Sequence, residues 1–382
     1  MDYMQTAQLN LSPGIIEFGA GQPSPGLLPL KLLREAAEKR LGNDDASYLA
    51  YGAEQGDGYF RSELANFLAE KYEIPVDLDH LFVTAGASQG LDLICTLFSR
   101  PGDTIFVEEP SYFLALRIFA DHGLNIVSLP MDDQGILIES LEQKLSRHTP
   151  AFLYTIPTFH NPSSVTLSAE RRDRLVQLSR QHNFMIVADE VYHLLTYNSV
   201  PPPPLASHIG SSPVISLGSF SKIMAPGLRL GWIQTGAELM NHLSGCGLVD
   251  SGGGLNPFTS GVMRSAIELG LLEKQLTNLK SVYHRRKIAL CNALRELLPA
   301  SIRFIEPDGG FFIWLEFADN VDTEKLLAAA WRHNVGFLPG FKFSGNRGLK
   351  NYLRLSFAYY DVPELTEGAR RLGKVIAEYL KA

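Results

Sequence analysis

Between residues 80 and 236 the chain alternates short apolar segments with amphipathic ones, and this alternation restricts its possible folds more than any other feature. The apolar segments lack strict every-second-residue alternation, which is typical of strands buried on both faces of a sheet. The segments between them carry apolar residues at helical spacing. Repeated β–α units of this kind predict an α/β fold with a mostly parallel sheet sandwiched by helices. The predicted strands cover 80–86, 103–110, 125–130, 150–157, 183–190, 213–220 and 229–236, and the predicted helices cover 30–41, 57–73, 88–99, 112–123, 137–147 and 168–182.

The character of the sequence changes after about residue 258. Helical spacing continues from 259 to 298, with a break predicted near Gly270, and the strand-like segments IRFIEPDGGFFIWLEF and YLRLSFAYY follow. A chain of 382 residues also exceeds the usual size of a single hydrophobic core. We therefore predict a large domain with a seven-stranded-type sheet and a smaller α+β domain built from both termini. The predicted limits are 1–45 for an N-terminal arm and part of the small domain, 46–280 for the large domain and 281–382 for the rest of the small domain.

The charge and cysteine content exclude several classes of function. The net charge of −7 leaves no domain-wide basic excess, so nucleic acid is not expected as a partner. Cys95, Cys246 and Cys291 are too few and too widely spaced for a disulfide framework or a metal site. The N-terminus lacks the basic start and apolar run of a secretory signal, and no stretch of about 18 apolar residues predicts a membrane span. We therefore expect a cytoplasmic protein without a metal.

Five predicted strand ends carry residues suited to a ligand, because ligands bind beyond the carboxyl ends of the strands in an open parallel sheet. The first is the turn TAGASQG (84–90), whose free backbone N–H groups suit a phosphate, although a plain strand-to-helix turn is an alternative. The second places Tyr112 where its ring can stack on a flat cofactor or simply pack. The third places Asn161 where its amide can donate to a phenolate or carboxylate oxygen or simply complete a turn.

The fourth and fifth strand ends carry charged residues. Asp189 follows the apolar run NFMIVA, and a carboxylate there needs a partner such as a protonated ring nitrogen, unless it is a capping or ion-paired aspartate. Lys222 follows Ser219 and Ser221, and Arg229 comes shortly after it. A lysine with a lowered pKa forms Schiff bases with carbonyl cofactors, and the serines and the arginine can hold a phosphate. Together the five ends supply the set of groups that pyridoxal 5'-phosphate requires.

The segment SFSKIMAPGLRLGW, with GAGQPSP near residue 19 and NYLRLSF near residue 351, resembles the class I/II aminotransferases of the fold-type I pyridoxal-phosphate superfamily. The resemblance covers almost the whole chain. Within the superfamily, the pattern is most similar to the branch of aminoadipate, kynurenine and broad-specificity aminotransferases.

The resemblance implies a role for each matching residue of a cofactor site. Lys222 is expected to form the Schiff base and to shuttle the proton, and Asp189 to pair with the pyridinium nitrogen. Tyr192 and Asn161 are expected to bind the phenolate oxygen of the ring, and Tyr112 to stack on the ring. The phosphate is expected to contact the backbone of Ala87 and Ser88 and the side chains of Ser219, Ser221 and Arg229. Many relatives carry a polar residue in place of Ala87, so only a backbone donor is expected there.

The same resemblance implies how the substrate binds and how the sites are assembled. Arg354 is expected to clamp the α-carboxylate of the substrate through its planar fork, helped by Asn161 and the backbone of Gly21. Tyr51 is expected to reach the phosphate in the site of a neighbouring subunit, which implies a homodimer with shared active sites. The implied reaction moves an amino group from an L-amino acid to a 2-oxo acid in a ping-pong sequence.

Other functions share part of this pattern. A β-lyase or decarboxylase on the same fold would keep the cofactor residues, and a regulator on this fold could sense the cofactor or an amino acid. Such regulators carry an additional N-terminal DNA-binding domain, for which too few residues precede the fold here. The string Ser219–Lys222 also matches S-x-x-K, but its companion strings S-D-N and K-T-G do not occur. Gly19-Ala20-Gly21 is a poor dinucleotide fingerprint, because Pro23 interrupts the helix entry.

Two features have no assigned role. His160, next to Asn161, is expected to be a solvated loop histidine, with contact to the substrate as the alternative. Gly252–Gly254 is expected to form a mobile loop.

Overall fold

The computed structural model describes residues 11–42, 44–197 and 199–381, so the first ten residues of the predicted arm lie outside the described part of the chain. Within these ranges the predicted α/β architecture is present. The strands are β1 Ile16–Glu17, β2 Leu81–Thr84, β3 Thr104–Glu109, β4 Asn125–Asp132, β5 Gly135–Ile136, β6 Phe152–Thr155, β7 Met185–Asp189, β8 Val214–Ser219, β9 Gly231–Thr235, β10 Phe312–Glu316, β11 Val335–Gly336, β12 Leu338–Pro339 and β13 Tyr352–Ser356.

The helices occupy the segments between these strands, and α1 has the predicted bounds. They are α1 Leu30–Leu41, α2 Gly58–Tyr72, α3 Ala87–Phe98, α4 Phe113–Asp121, α5 Ile138–Leu145, α6 Ala169–His182, α7 Ala237–Ser244, α8 Gly247–Gly252, α9 Pro257–Glu268, α10 Leu271–Leu297, α11 Thr323–Arg332 and α12 Val362–Tyr379.

The large sheet has eight strands in the order β2-β9-β8-β7-β6-β3-β4-β5. The five strands from β8 to β4 in this order run parallel, whereas β9 is antiparallel to both β8 and β2 and the two-residue β5 pairs antiparallel with β4. The sheet is therefore the predicted mostly parallel one with a short additional edge strand. In the register, Thr155 lies beside Ala188 and Asp189 beside Leu217, so the carboxyl ends of β6, β7 and β8 meet at one edge.

Local signals explain where two of the helices begin. The Asp57 carboxylate, predicted as the cap of α2, accepts the N–H of Phe60 at 2.6 Å and satisfies one of the free donors at the helix start. The predicted break near Gly270 is also confirmed. Gly270 has φ +68°, a conformation that favours glycine, and it separates α9 from α10.

The N-terminal segment pairs with the C-terminal part of the chain. β1 runs parallel to β11, with Ile16 opposite Val335, and β10, β13 and β12 form a second, antiparallel sheet. α10 packs against α12 and passes residue 280 without interruption. The domain limits at residues 45 and 280 stay a prediction. No helix in the described part of the chain is long and apolar enough to cross a membrane.

The aromatic core under the end of β8 fixes the direction of the chain at the predicted site. Phe220 is fully buried, and its ring centroid lies 6.0 Å from that of Phe60 and 5.2 Å from that of Trp232. Burying side chains of this size contributes about 1.5–3 kcal/mol each. This packing anchors the chain two residues before Lys222.

We expect Asp361→Ala to destabilise the C-terminal helix. Asp361 caps α12 by accepting the N–H of Glu364, and the Glu364 carboxylate accepts the N–H of Asp361, which forms a capping box. Loss of the cap costs about 1 kcal/mol, so the melting temperature in differential scanning calorimetry should fall. Asp361→Ser, which keeps a capping oxygen, is the control and should melt close to the wild type. Equal melting temperatures for both variants would show that the cap contributes nothing.

Candidate active site

Lys222 follows β8 and points into the space between the large sheet and the N-terminal segment. Its Nζ donates to the Gly21 carbonyl at 3.1 Å and lies 5.8 Å from the ring centre of Tyr192 and 5.6 Å from that of Phe311. Burial, followed by the positive charge of Arg354, lowers the pKa of the Lys222 amine to about 8. The amine is therefore neutral and nucleophilic above about pH 8.

Asp189 is the last residue of β7, and one oxygen of its buried carboxylate lacks a hydrogen-bond partner in the described part of the chain. Its Oδ2 accepts the hydroxyl of Tyr154 on the adjacent strand at 2.8 Å, whereas Oδ1 is buried and has no hydrogen-bond partner among the described residues. Burial raises the pKa of Asp189, and the bond from Tyr154, the nearby Val191 N–H and the charge of Lys222 oppose this rise. A buried carboxylate oxygen without a partner is costly, so this one suits a cationic donor from a ligand.

Tyr192 and Tyr112 supply the aromatic part of the site. The Tyr192 ring is buried against Phe311 and Phe312, at 5.4 and 5.8 Å between centroids, and burial raises its pKa well above the ordinary value. Tyr112 precedes the first turn of α4, and burial, followed by the charge of Asp189, raises its pKa to about 12. Both phenols are therefore neutral hydrogen-bond donors at physiological pH.

Arg354, in the middle of β13, is a buried guanidinium held on several sides. Its Nη1 donates to Asn161 Oδ1 at 2.8 Å and its Nη2 donates to the Gly19 carbonyl at 2.9 Å. Its planar group lies over the ring of Phe312 at 4.0 Å and near that of Phe343 at 5.1 Å. Burial lowers the pKa of Arg354 to about 10, so it remains a cation at neutral pH. Its Nε is buried without a partner among the described residues, so it can donate to an anion.

The start of α3 and the end of β8 form a corner suited to a dianion. Gly86 precedes α3 at φ +92°, and no side chain caps the N–H groups of the first turn, which begins with Ala87 and Ser88. Arg229 Nη2 donates to the Ala85 carbonyl at 3.1 Å, and a Cβ at position 86 would lie 2.9 Å from the same nitrogen. Ser219 Oγ accepts the Ser221 N–H at 3.1 Å. Backbone donors, hydroxyls and a guanidinium therefore converge here.

The structure thus brings most of the predicted residues together, and it leaves the side chain of Tyr51 open to solvent. The side chain of Tyr51 is 88% exposed. Two residues were missed: Tyr154, which holds Asp189, and Phe312, which covers Arg354. Tyr154 lies inside a continuous apolar run, and only the pairing of β6 with β7 places its hydroxyl at Asp189.

The expectations for the two unassigned features were wrong in structural terms. His160 is fully buried rather than solvated, because Glu108 from β3 packs against its ring, with Nε2 3.0 Å from the carboxylate. The backbone of Gly253 and Gly254 forms bridges with Gly52, so this segment is part of a backbone pairing rather than a free loop.

These residues fit pyridoxal 5'-phosphate. The unpartnered Oδ1 of Asp189 suits the ring nitrogen, the neutral amine of Lys222 suits the carbonyl, and the donor corner at Gly86 suits the phosphate. The free Nε of Arg354 suits a substrate carboxylate.

Comparison with known proteins agrees with this chemistry. The sequence matches the family model described as aminotransferase class I and II over residues 8–372. An aromatic-amino-acid aminotransferase of Thermococcus litoralis is 34% identical over 374 residues, which cover 96% of this chain and 89% of that protein. A 2-aminoadipate transaminase of Thermus thermophilus is 32% identical, with 97% and 92% covered.

A solved structure extends the similarity to three dimensions. The crystal structure of Pyrococcus horikoshii kynurenine aminotransferase, in complex with PMP and with KYN as substrates and KYA as products, has a TM-score of 0.92 to this chain. The two are 33% identical, and the match covers 97% of this chain and 93% of the other.

We expect Lys222 in the cofactor-free protein to react with acetic anhydride with a midpoint near pH 8, because burial and Arg354 lower its pKa to about 8. Above this pH the amine loses its proton, so the labelling rate rises through pH 8 instead of near the ordinary value of about 10.4. Mass spectrometry of the Lys222 peptide, with the exposed Lys31 as internal reference, measures the midpoint.

Asp189→Asn is the matched control for this experiment. The negative charge of Asp189 raises the pKa of Lys222, so its removal should move the labelling midpoint of Lys222 to lower pH. A wild-type midpoint at the ordinary lysine value would contradict the prediction.

Proposed function

The chain belongs to the class I and II aminotransferase family, and on that premise we propose which of its residues carry the transfer of an amino group from an amino acid to a 2-oxo acid. The cofactor is pyridoxal 5'-phosphate, which when bound supplies the carbonyl that receives the amino group and a ring that accepts the electrons left at Cα. The observation that carries the proposal is the juxtaposition of a lysine whose pKa is lowered to about 8 with a buried carboxylate that keeps one free oxygen.

Lys222 is the base and acid of the reaction. With its pKa near 8, Nζ can take the Cα proton of the substrate and can return a proton later in the transfer. The Gly21 carbonyl, 3.1 Å from Nζ, orients the amine between transfers. The same lysine serves both half-reactions, which accords with the ping-pong kinetics of the family.

Four groups of residues hold the cofactor. Asp189, kept in place by Tyr154, holds the ring nitrogen through Oδ1. Tyr192 and Asn161 donate to the phenolate oxygen, and Tyr112 covers one face of the ring. The phosphate is bound by the backbone of Ala87 and Ser88 and by Ser219, Ser221 and Arg229.

Arg354 binds the carboxylate that the amino acid and the 2-oxo acid share. Its contacts with Asn161 and Gly19 fix the plane of the guanidinium, and the backbone of Gly21 lies beside it. A guanidinium fixed in this way presents its unpartnered Nε to a carboxylate at little cost in entropy.

The surroundings of Arg354 favour aromatic or large apolar amino acids as substrates. The rings of Phe312 and Phe343 cover the guanidinium, and a second carboxylate on the substrate would lose water against this apolar wall. Glu17 lies nearby, and burial raises the pKa of its carboxyl above the ordinary value, although the bond from the Gly19 N–H and the charge of Arg354 oppose this rise. The Thermococcus litoralis relative, named an aromatic-amino-acid aminotransferase, supports this preference.

The function is tested by half-reactions followed in the cofactor absorbance. L-Phenylalanine added without a 2-oxo acid should shift the cofactor band and release one equivalent of phenylpyruvate, and it should react about tenfold more efficiently than L-glutamate. Lys222→Ala should abolish product formation, because it removes the group that takes the Cα proton, and Lys31→Ala is the surface control. Normal turnover in Lys222→Ala would disprove the role of the lysine.

Two other outcomes separate the remaining alternatives. Continuous product release without a 2-oxo acid would indicate a lyase or a decarboxylase. A band that changes with no product would indicate a sensor.

We also propose a homodimer in which Tyr51 completes the site of the partner subunit. Its side chain is 88% exposed, and Leu49 and Tyr59 near it in sequence are 64% and 70% exposed, so this part of the chain exposes several large apolar side chains. Exposed apolar side chains of this size in one region are typical of an interface. A second copy of the chain would bury them and bring the Tyr51 hydroxyl to a phosphate.

Mixing two inactive variants tests this arrangement. Tyr51→Ala removes the residue given to the partner, and Lys222→Ala removes the base within the chain. Unfolding and refolding a one-to-one mixture should restore about a quarter of the wild-type activity, since half of the dimers are mixed and each has one intact site. Recovery of no activity above that of Tyr51→Ala alone would place Tyr51 within its own site or outside any site.

We place the protein in the cytoplasm. Its three cysteines are all buried and free, which is typical of a reducing compartment.

A further inference from the structure

Two buried titratable groups beside the site, Glu108 and His160, have no part in the roles above. Glu108 lies near the end of β3 and is 1% exposed, and His160 is 0% exposed. Nε2 of His160 lies 3.0 Å from Oε2 of Glu108, a close polar contact whose angle departs from that of an aligned hydrogen bond. Buried polar groups of this kind persist when most of their atoms are engaged, and here both oxygens of Glu108 and Nδ1 of His160 have hydrogen-bond partners.

Glu108 fastens the chain at the point where β6 ends. Its Oε1 accepts the hydroxyl of Thr155 at 2.7 Å, and its Oε2 accepts the N–H of Ile156 at 2.8 Å. The last residue of β6 and the residue after it are therefore fixed by a side chain from the neighbouring strand. From this point the chain runs directly to His160.

The two ring nitrogens of His160 have different roles. Nδ1 accepts the N–H of Ser163 at 3.3 Å and lies 2.9 Å from the Ser163 hydroxyl. A nitrogen that accepts an N–H carries no proton, so the neutral ring has its proton on Nε2, facing Glu108. The histidine thus joins the carboxylate on one side to the following turn on the other.

The turn at residues 160–164 carries Asn161, which holds Arg354, and it contacts Phe312, which covers Arg354. The N–H of Ser164 donates to the His160 carbonyl at 2.6 Å, which closes the turn around Asn161, and the Ser164 hydroxyl donates to the Phe312 carbonyl at 2.5 Å. Asn161 accepts from Arg354, and the Phe312 ring covers its guanidinium. The turn therefore acts on Arg354 directly through Asn161 and indirectly through the bond from Ser164 to Phe312.

We propose that Glu108 and His160 are positioning residues that fix the turn bearing Asn161 and, through it, hold Arg354 in the orientation that binds the substrate carboxylate. The inference rests on the proposed function, in which Arg354 binds that carboxylate. Neither residue touches the reacting atoms.

Kinetics of the cofactor-bound enzyme give the first test. His160→Phe keeps the ring but removes both nitrogens, and it should raise KM for amino acid and 2-oxo acid about tenfold with kcat within about twofold. His160→Gln, which can still donate to Glu108, should remain within about threefold of the wild-type KM. Glu108→Gln replaces the charged partner and should raise KM as His160→Phe does. His122→Gln, which disrupts the exposed His122–Asp92 pair at 2.8 Å, is the matched control.

Two readouts do not depend on turnover. The dissociation constant of the unreactive carboxylate 3-phenylpropionate, measured from its effect on the cofactor band, should rise with KM in His160→Phe and Glu108→Gln. In the cofactor-free protein labelled with ¹⁵N-histidine, the resonance absent from His160→Gln should report a protonated Nε2 and an unprotonated Nδ1. A ring protonated on Nδ1 alone would overturn the proposed connection.

The outcomes separate this inference from the proposed function. An active wild type with unchanged KM and 3-phenylpropionate binding in His160→Phe would overturn the inference alone. Equal impairment of His160→Phe and His160→Gln, with equal losses of melting temperature, would show that Glu108 and His160 contribute only core packing. This result would also overturn the inference. A wild type that transaminates no amino acid would refute the proposed function, and 3-phenylpropionate binding and the histidine resonances would still decide the role of the pair.

Discussion

The parallel alignment of β6, β7 and β8 is the constraint on which the site depends. Parallel strands bring their carboxyl ends to the same edge, so segments far apart in sequence deliver Asn161, Asp189 and Lys222 to one region. Each side chain then needs only a local contact that fixes its orientation. For Lys222 this contact is the packing of Phe220 on Phe60 and Trp232, and for Asp189 it is the hydroxyl of Tyr154.

Burial acts in opposite directions on the acid and base groups gathered there. It lowers the pKa of Lys222 and raises that of Asp189, and in both cases the neutral form is favoured. The lysine benefits directly, because a neutral amine can take a proton. The carboxylate needs compensation, which Tyr154 and Lys222 supply in part and a cationic ring nitrogen would complete. Without its cofactor, the site therefore leaves the negative charge of Asp189 only partly compensated.

Much of this organisation was predictable from the sequence, because the signals were local. The lysine with its serines and arginine, the aspartate after an apolar run and the Asp57 cap all lie within a few residues of the elements they define. Tyr154 was missed because its function depends on which strand lies beside β6. His160 was misjudged as solvated for the same reason, since its partner Glu108 comes from another strand. Pairing between distant segments is what residue patterns along a chain do not encode directly.

The N-terminal segment contributes to the site mainly through its backbone. Main-chain carbonyls of Gly19 and Gly21 contact Arg354 and Lys222, and the segment is held by the pairing of Ile16 with Val335 and by the bond from the Ser356 N–H to the Phe18 carbonyl. Scanning mutagenesis changes side chains and leaves these carbonyls in place. At Gly19 and Gly21 it would therefore show only the steric effect of an added side chain. The contribution of this segment is the route of its backbone, so a segment of different composition could be exchanged for it provided that the route is kept.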